Sequence, residues 1–197
     1  DPELLTSAPA SVAAACGIDA FIHAEEAYIS TAASPFSDAM AEKAKAIAEE
    51  LPLHVKKIGL FVEALPEEIN VTCKTSLIDM AQIHFDVDET FLSALEVPYL
   101  LVTRAQKQSD VSQYQDRLRL VDAYVESFGG AGARLELSWF EHADTHNIIL
   151  AGGLSPLNID EVKPFGFYGV DVSSGVEKSK GIKDHEKVDA FLKKAKA

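Results

Sequence analysis

The chain has 197 residues, of which 47% are hydrophobic and 25% charged, and its formal net charge at pH 7 is −13. This composition is sufficient for the core of one α/β domain and excludes a disordered chain. The negative charge excludes a general nucleic-acid or anionic-membrane surface, because Lys and Arg hold such partners. No apolar run approaches the roughly 20 residues that span a bilayer, and no signal-peptide pattern is visible. We therefore expect a cytoplasmic protein with neither membrane nor nucleic-acid partners.

Apolar runs alternate with helical patterns over residues 12–197, which predicts one (βα)8 TIM barrel, an α/β fold. The polar, Ala/Pro-rich segment 1–11 is expected to be disordered and to lie outside this domain. The second strand is short and polar, which predicts a shortened or irregular second βα unit and leaves an open doubly wound sheet as the alternative. The eight predicted strands are Val12–Cys16, Tyr28–Ala33, Lys57–Val62, Leu77–His84, Tyr99–Thr103, Leu118–Val121, Ile148–Ala151 and Phe167–Val170.

Helix signals follow several of these strands. Pro66 fits the first turn of a helix, and Asp86 or Asp88 can cap the next one. A short helix is predicted over residues 110–115. Asp184 caps a final helix, whose apolar stripe is predicted to consist of Val188, Phe191 and Leu192.

Within residues 147–184, two short apolar runs are each followed by small residues. This pattern predicts two consecutive strand–loop–helix units. The first run ends in Gly152–Gly153, after which Ser155–Pro156 fits the cap and first position of a helix. The second run ends in Asp171–Gly175. Both loops leave backbone N–H groups free at a helix start, where an anion is favoured. Two neighbouring parallel strands would direct both loops at one phosphate, so we predict a phosphorylated small-molecule ligand.

Three motifs in this stretch resemble the phosphoribosylanthranilate isomerase family of tryptophan biosynthesis: Ile149–Pro156 (ILAGGLSP), Gly169–Glu177 (GVDVSSGVE) and Gly181–Asp184 (GIKD). The resemblance implies a barrel enzyme, an isomerase of the aldose–ketose type that acts as a monomer or homodimer and requires no cofactor. Its reaction is the Amadori rearrangement of N-(5′-phosphoribosyl)anthranilate to 1-(2-carboxyphenylamino)-1-deoxyribulose 5-phosphate by general acid and base catalysis.

The resemblance implies one catalytic base and one catalytic acid. Cys16 matches the cysteine that ends the family's first strand and serves as the base, although composition alone favours a small buried residue there. Asp122 closes the apolar run Leu118–Val121 and matches the general acid, although a capping or ion-paired Asp fits the residues alone equally well. Asp122 would protonate the ribose ring oxygen, and Cys16 would then remove the C2 proton. Cys16 and Cys73 lack metal-ligand spacing, so we expect free thiols and no metal.

Seven further residues are implied in substrate binding. Four belong to the two loops and would hold the phosphate, namely Gly152, Gly153, Ser173 and Ser174. Asp171 would bind a sugar hydroxyl or brace its loop, and we favour bracing. Arg134 would supply a positive charge beside the glycine-rich segment 128–132. His84 matches the family's Gln-Leu-His segment, and a core or rim histidine fits equally well.

Two departures from the family pattern precede the third strand. Ala14 stands where the family has a lysine before the catalytic cysteine, and Phe36 stands where it has an arginine that contacts the anthranilate carboxylate. A non-catalytic sugar-phosphate-binding barrel therefore remains an alternative. A sibling sugar-phosphate isomerase or synthase is a second alternative, although the lysines or aspartate that those enzymes place at their strand ends are not found here.

Overall fold

A computed structural model describes residues 45–46, 48–52, 54–123 and 134–196. The predicted disordered segment 1–11, the first two predicted strands and the glycine-rich segment 128–132 lie outside these residues. Two compact units divide the chain, residues 1–100 and 101–197. In the described ranges no helix is long and apolar enough to cross a membrane.

The first unit contains two parallel strands and two helices in the predicted order. They are β1 (Ile58–Phe61), α1 (Pro66–Thr75), β2 (Met80–Ile83) and α2 (Glu89–Ser93). The two strands pair in register along their whole length. Pro66 occupies the first turn of α1, as predicted, because a missing N–H costs nothing there. Asp88 caps α2, since its Oδ1 accepts a hydrogen bond from the Phe91 N–H at 2.8 Å.

One ion pair joins the beginnings of β1 and β2. Asp79 Oδ2 accepts a hydrogen bond from the Lys57 N–H at 2.8 Å and lies 2.8 Å from Lys57 Nζ. Burial by itself raises the pKa of Asp79, but the hydrogen bonds from Lys57 outweigh it and hold the pKa below its ordinary value of 3.8. The carboxylate is therefore the form that stabilises this edge of the unit.

The second unit is built on four parallel strands in the order β3-β4-β5-β6. They are β3 (Tyr99–Ala105), which begins at the boundary between the units, β4 (Arg119–Ala123), β5 (Ile148–Leu150) and β6 (Gly169–Val170). Val121 pairs with Leu150, and Leu150 pairs with Val170. The carboxyl ends of β4, β5 and β6 therefore meet at one edge of the sheet. The largest fully buried apolar residues of this unit are Phe140, Phe191, Ile148, Leu150, Ile159, Val121 and Val172.

The connections in the second unit contain short 3₁₀ turns where the sequence predicts helices. The segment after β3 forms a turn at Gln108–Ser112, and the segment after β5 forms two, Ile159–Glu161 and Lys163–Phe165. Pro164 cannot donate a backbone hydrogen bond, and Gly166 adopts a φ of 64°, so the helix cannot continue. After β6 the helical turn is limited to Ser174–Val176.

An antiparallel hairpin and one long helix complete the second unit. The hairpin consists of β7 (Glu177–Ser179) and β8 (Ile182–Lys183). The helix α3 (His185–Lys196) begins where predicted, because Asp184 Oδ1 accepts hydrogen bonds from the N–H groups of residues 186 and 187 at 3.0 and 3.2 Å. Its apolar stripe packs inward, with Phe191 and Leu192 buried.

Candidate active site

The first loop, residues 151–155, follows β5 and is closed by hydrogen bonds from one asparagine. Gly152 and Gly153 have φ values of 90° and 61°, a region that only glycine enters at low cost. Asn158 donates from Nδ2 to the Gly153 carbonyl at 2.9 Å, and its Oδ1 accepts the Ser155 N–H at 2.8 Å. Ser155 Oγ in turn accepts the Leu157 N–H at 3.3 Å. Ser155 thus caps the turn over residues 156–158, whereas the first 3₁₀ turn begins only at Ile159 with Asn158 as its N-cap, so the helix predicted to start at Pro156 does not form.

The second loop, residues 171–175, follows β6 and is held by a lysine from β8. The Asp171 N–H donates to the Leu150 carbonyl at 2.8 Å, which continues the pairing of β5 and β6 into the loop. Lys183 Nζ donates to the carbonyl oxygen of Ser173 at 3.0 Å and to its Oγ at 3.3 Å. The same ammonium group lies 3.3 Å from Glu177 Oε1.

The two loops touch through their backbones at Gly175. A Cβ atom built on Gly175 would lie 1.7 Å from the carbonyl oxygen of Leu154 and 2.8 Å from its carbonyl carbon. Only glycine therefore permits this approach, for a steric reason that does not involve its φ. The loops form one continuous surface because residue 175 has no side chain.

Backbone N–H groups are the available donors on this surface. Within the described part of the chain, the N–H groups of Gly152, Gly153, Ser174 and Gly175 have no hydrogen-bond partner. Successive free N–H groups in a tight turn form a concave site that suits an anion. Nearby lysines use their charge to hold the loops, since Lys194 Nζ donates to the Pro156 carbonyl at 2.8 Å and pairs with Asp160 at 2.8 Å. Hydrogen bonds from Lys163 and Lys194 lower the pKa of Asp160.

Asp122 lies at the same edge of the sheet as both loops. It is the fourth residue of β4, which continues two residues beyond the predicted strand Leu118–Val121, to Ala123. Its side chain is half-buried, and its Oδ1 accepts the Ala123 N–H at 2.7 Å. The residue in register with it on β3 is Arg104. Side chains in register on parallel strands point to the same face of the sheet. The guanidinium group of Arg104 therefore lies on the same face as the carboxyl group of Asp122, the predicted acid.

The remaining predicted residues lie elsewhere. His84 follows β2 in the first unit, where its N–H donates to the Phe61 carbonyl at 2.9 Å. Arg134 forms an exposed ion pair with Glu161, with 2.9 Å between Nη2 and Oε2. Cys16 lies outside the described residues. At the carboxyl edge of the sheet the structure brings together Asp122, Gly152, Gly153, Asp171, Ser173 and Ser174.

The residues that shape the loops were not predicted from the sequence as site residues. Asn158 could have been found, because a serine followed three residues later by a hydrogen-bonding side chain has the spacing of a capping box. Gly175 and Lys183 stand in the quoted motifs, but nothing local in the sequence signals the Leu154 contact or the Ser173 contact. Arg104 is recognisable only once the register of β3 and β4 is known.

The fold and this edge define a class of protein, an α/β protein with a parallel sheet and, at its carboxyl edge, two touching loops with free backbone N–H groups. Comparison with known proteins identifies the family. A model of the family described as N-(5′-phosphoribosyl)anthranilate (PRA) isomerase matches residues 10–194. The N-(5′-phosphoribosyl)anthranilate isomerase of a Nitratiruptor species is 54% identical over 155 residues, which cover 79% of each chain. The chain therefore belongs to the phosphoribosylanthranilate isomerase family, isomerases of tryptophan biosynthesis, and its fold class is the predicted (βα)8 barrel.

Solved structures support the same assignment. The phosphoribosyl anthranilate isomerase of Thermotoga maritima superposes with a TM-score of 0.70 at 27% identity and covers 79% of this chain and 80% of its own. A phosphoribosyl anthranilate isomerase in complex with reduced 1-(o-carboxyphenylamino)-1-deoxyribulose 5-phosphate superposes with a TM-score of 0.64 at 26% identity, with 79% of each chain covered. The predicted family and fold class are thus confirmed, and the roles of individual residues stay predictions.

Proposed function

We propose that this chain converts N-(5′-phosphoribosyl)anthranilate to 1-(2-carboxyphenylamino)-1-deoxyribulose 5-phosphate at the carboxyl edge of β4, β5 and β6. One observation carries the proposal: two interlocked loops with free backbone N–H groups lie at the same sheet edge as Asp122. A chain with a net charge of −13 can hold a phosphate in this way, because aligned backbone donors need no excess of basic side chains.

The phosphate is bound by the first and second loops in this proposal. Gly152 and Gly153 allow close approach of the backbone, and Ser173 and Ser174 add hydroxyl donors to the N–H groups. Asp171 braces the second loop, whose first N–H is already engaged by β5. Arg134 would contribute positive charge only when its exposed ion pair with Glu161 opens. His84, in the first unit, is proposed as a substrate-binding residue on the family resemblance alone.

Asp122 and Cys16 perform the chemistry. Asp122 donates a proton to the ribose ring oxygen, the C1–O bond breaks, and the sugar opens to an iminium ion. Cys16, as thiolate, removes the C2 proton, and the resulting enolamine becomes the ketone of the product. Anchoring the phosphate holds the sugar in reach of both groups, so binding energy from a part of the substrate that does not react lowers the barrier.

The decay of anthranilate-type fluorescence during turnover tests this proposal. Cys16→Ala and Asp122→Asn should each lower kcat by about 10²- to 10⁴-fold, the usual contribution of one acid or base. Cys73→Ala and Asp116→Asn are matched controls, because they remove the other thiol and an exposed carboxylate of the 113–117 turn. Both controls should keep kcat within about twofold of the wild type, since neither group is placed in the reaction.

Binding of inorganic phosphate separates the enzyme from a non-catalytic barrel. Asp122→Asn should bind phosphate as the wild type does, because Asp122 is not a phosphate ligand in the proposal. A folded wild type that binds phosphate and shows no fluorescence decay would establish the non-catalytic alternative. Full activity in Asp122→Asn would show that another residue is the acid.

A further inference from the structure

We infer that Lys183 is a positioning residue that directs the donors of the second loop toward the substrate phosphate without contacting the phosphate itself. The inference rests on the proposed function and deepens it. Lys183 lies on β8, after the loop in sequence. Its ammonium group reaches back ten residues to Ser173.

The ammonium group is placed for holding the loop. Its side chain is 16% exposed and that of Glu177 is 12% exposed, so the pair is largely removed from water. The contacts of Nζ include the Ser173 carbonyl, the Ser173 hydroxyl and the Glu177 carboxylate. An ammonium group has only three hydrogens, so these contacts already engage its donors. A lysine that bound phosphate directly would have to give up one of these contacts.

The contact with the Ser173 carbonyl fixes the direction of the next N–H group. The peptide bond is planar and trans, and no cis peptide bond is found in the described ranges. The Ser174 N–H therefore points away from the ammonium group. The Ser173 hydroxyl accepts a hydrogen bond from Lys183, so its own hydrogen remains to be donated. Lys183 thus turns the Ser174 N–H to the side opposite itself and leaves the Ser173 hydroxyl hydrogen to be donated elsewhere.

Lys183 also neutralises a carboxylate beside the proposed anion site. Glu177 and Lys183 face each other as register partners of the β7–β8 hairpin. Without the lysine, the Glu177 carboxylate would keep its hydrogen bond from the Gly181 N–H but lose its charge partner. An uncompensated carboxylate disfavours a second anion nearby. Loss of Lys183 should therefore weaken phosphate binding both through geometry and through charge.

The first loop uses the same arrangement with an uncharged side chain. Asn158 Nδ2 donates to the Gly153 carbonyl at 2.9 Å, as Lys183 Nζ donates to the Ser173 carbonyl. In each loop, therefore, a side-chain donor holds one backbone carbonyl, at Gly153 and at Ser173. The next N–H is that of Leu154 in the first loop and that of Ser174, one of the proposed phosphate donors, in the second.

The test compares Lys183→Met with Lys183→Arg and Lys180→Met. Lys180 is an exposed residue in the turn of the same hairpin, so Lys180→Met removes the same charge from the hairpin. Lys183→Met should raise the Kd for inorganic phosphate and the KM for substrate by about tenfold or more, since hydrogen bonds to charged groups are lost. Its kcat should stay within about threefold. Lys183→Arg should recover most of the phosphate affinity, and Lys180→Met should match the wild type within about twofold.

A double-variant cycle with Ser173→Ala distinguishes positioning from general stability. If Lys183 acts through Ser173, the double variant Lys183→Met/Ser173→Ala should bind phosphate no more weakly than Lys183→Met alone. Fully additive losses, or an unchanged phosphate Kd in Lys183→Met, would overturn the inference. If Lys183→Met does not fold, Lys183→Ala, which also lacks a side-chain donor, is measured with the same criteria. Phosphate binding is measured without turnover, so an inactive wild type would contradict the proposed activity and leave this test valid.

Discussion

Replacement of Gly175 by alanine should separate the two loops and damage the site without touching a catalytic group. The added Cβ would lie 1.7 Å from the Leu154 carbonyl oxygen and 3.1 Å from the Ser155 Cα, and both are backbone atoms. Even close C···O contacts in proteins are about 3.3 Å, so the two backbones would have to move apart by about 1.6 Å. No side-chain rotation can relieve this overlap.

The movement should cost stability and, more strongly, affinity. Overpacking of this kind usually costs about 1–3 kcal/mol, which for a chain of this length lowers Tm by about 2–12 °C. A displacement of about 1 Å at a site that must position its substrate can cost about 10²-fold in kcat/KM. The phosphate Kd should rise with KM, because the donors of the two loops would no longer converge.

The assay is thermal unfolding together with steady-state kinetics and phosphate binding. Gly169→Ala is the matched control, because its added Cβ would meet only the Ile149 side chain, at 3.7 Å, an ordinary contact. Gly169→Ala should stay close to the wild type in Tm and KM. If Gly175→Ala keeps the Tm, KM and phosphate Kd of the wild type, the two loops do not have to be in contact for binding, and the argument from their interlocking is wrong.

Two other sites give independent tests. Asp79→Asn should lower Tm at neutral pH. The folded-state pKa of Asp79 lies below 3.8, so the ionised carboxylate stabilises the fold fully above pH 3.8 and loses this effect as the pH falls through the folded-state pKa. The difference in Tm from the wild type should therefore shrink in acid. Asp86→Asn on the exposed loop before α2 is the control, and a difference that grows in acid would contradict the sign. Asn158→Ala should cost about 1–2 kcal/mol of unfolding free energy, as for a lost cap, and should raise KM. An unchanged KM would show that the first loop keeps its shape without the Gly153 contact. Asn70→Ala controls for the loss of an amide side chain, because it removes contacts with Ala94 and Glu96 in the first unit.

The parallel strands were predictable because none of their residues is fully exposed, so they read as nearly continuous apolar runs. Residues 58–61, 99–105 and 148–150 all lie inside or overlap the predicted strands. The last strand is shorter than its apolar run: Phe167 does not pair in the sheet but stacks on Phe165 and meets Phe140 edge to face. From the sequence alone, an apolar residue such as Phe167 that packs against other aromatic rings looks the same as one that pairs in a strand.

The candidate site was predictable where its residues are adjacent in sequence and unpredictable where they are not. The glycines and serines of the two loops are visible as interruptions of apolar runs. The contacts of Lys183 with Ser173 and of Gly175 with Leu154 depend on how a hairpin folds back and how two loops meet, and no local pattern encodes either distance. The 3₁₀ turns after β5 could have been inferred from Pro164, which interrupts the expected helix. For Cys16 the assignment still rests on family resemblance.

Contacts from α3 to earlier residues determine when the two loops become fully held during synthesis on the ribosome. Lys194 on α3 donates to a carbonyl 38 residues earlier, in the turn after the first loop, and Lys187 donates to the Glu177 carbonyl at 2.6 Å. A nascent chain that has already formed β3 to β6 still lacks these braces until α3 emerges and packs. Because chains fold as they are synthesised, at about 5–20 residues per second, the ability to retain a phosphate ester should be among the last properties the second unit acquires.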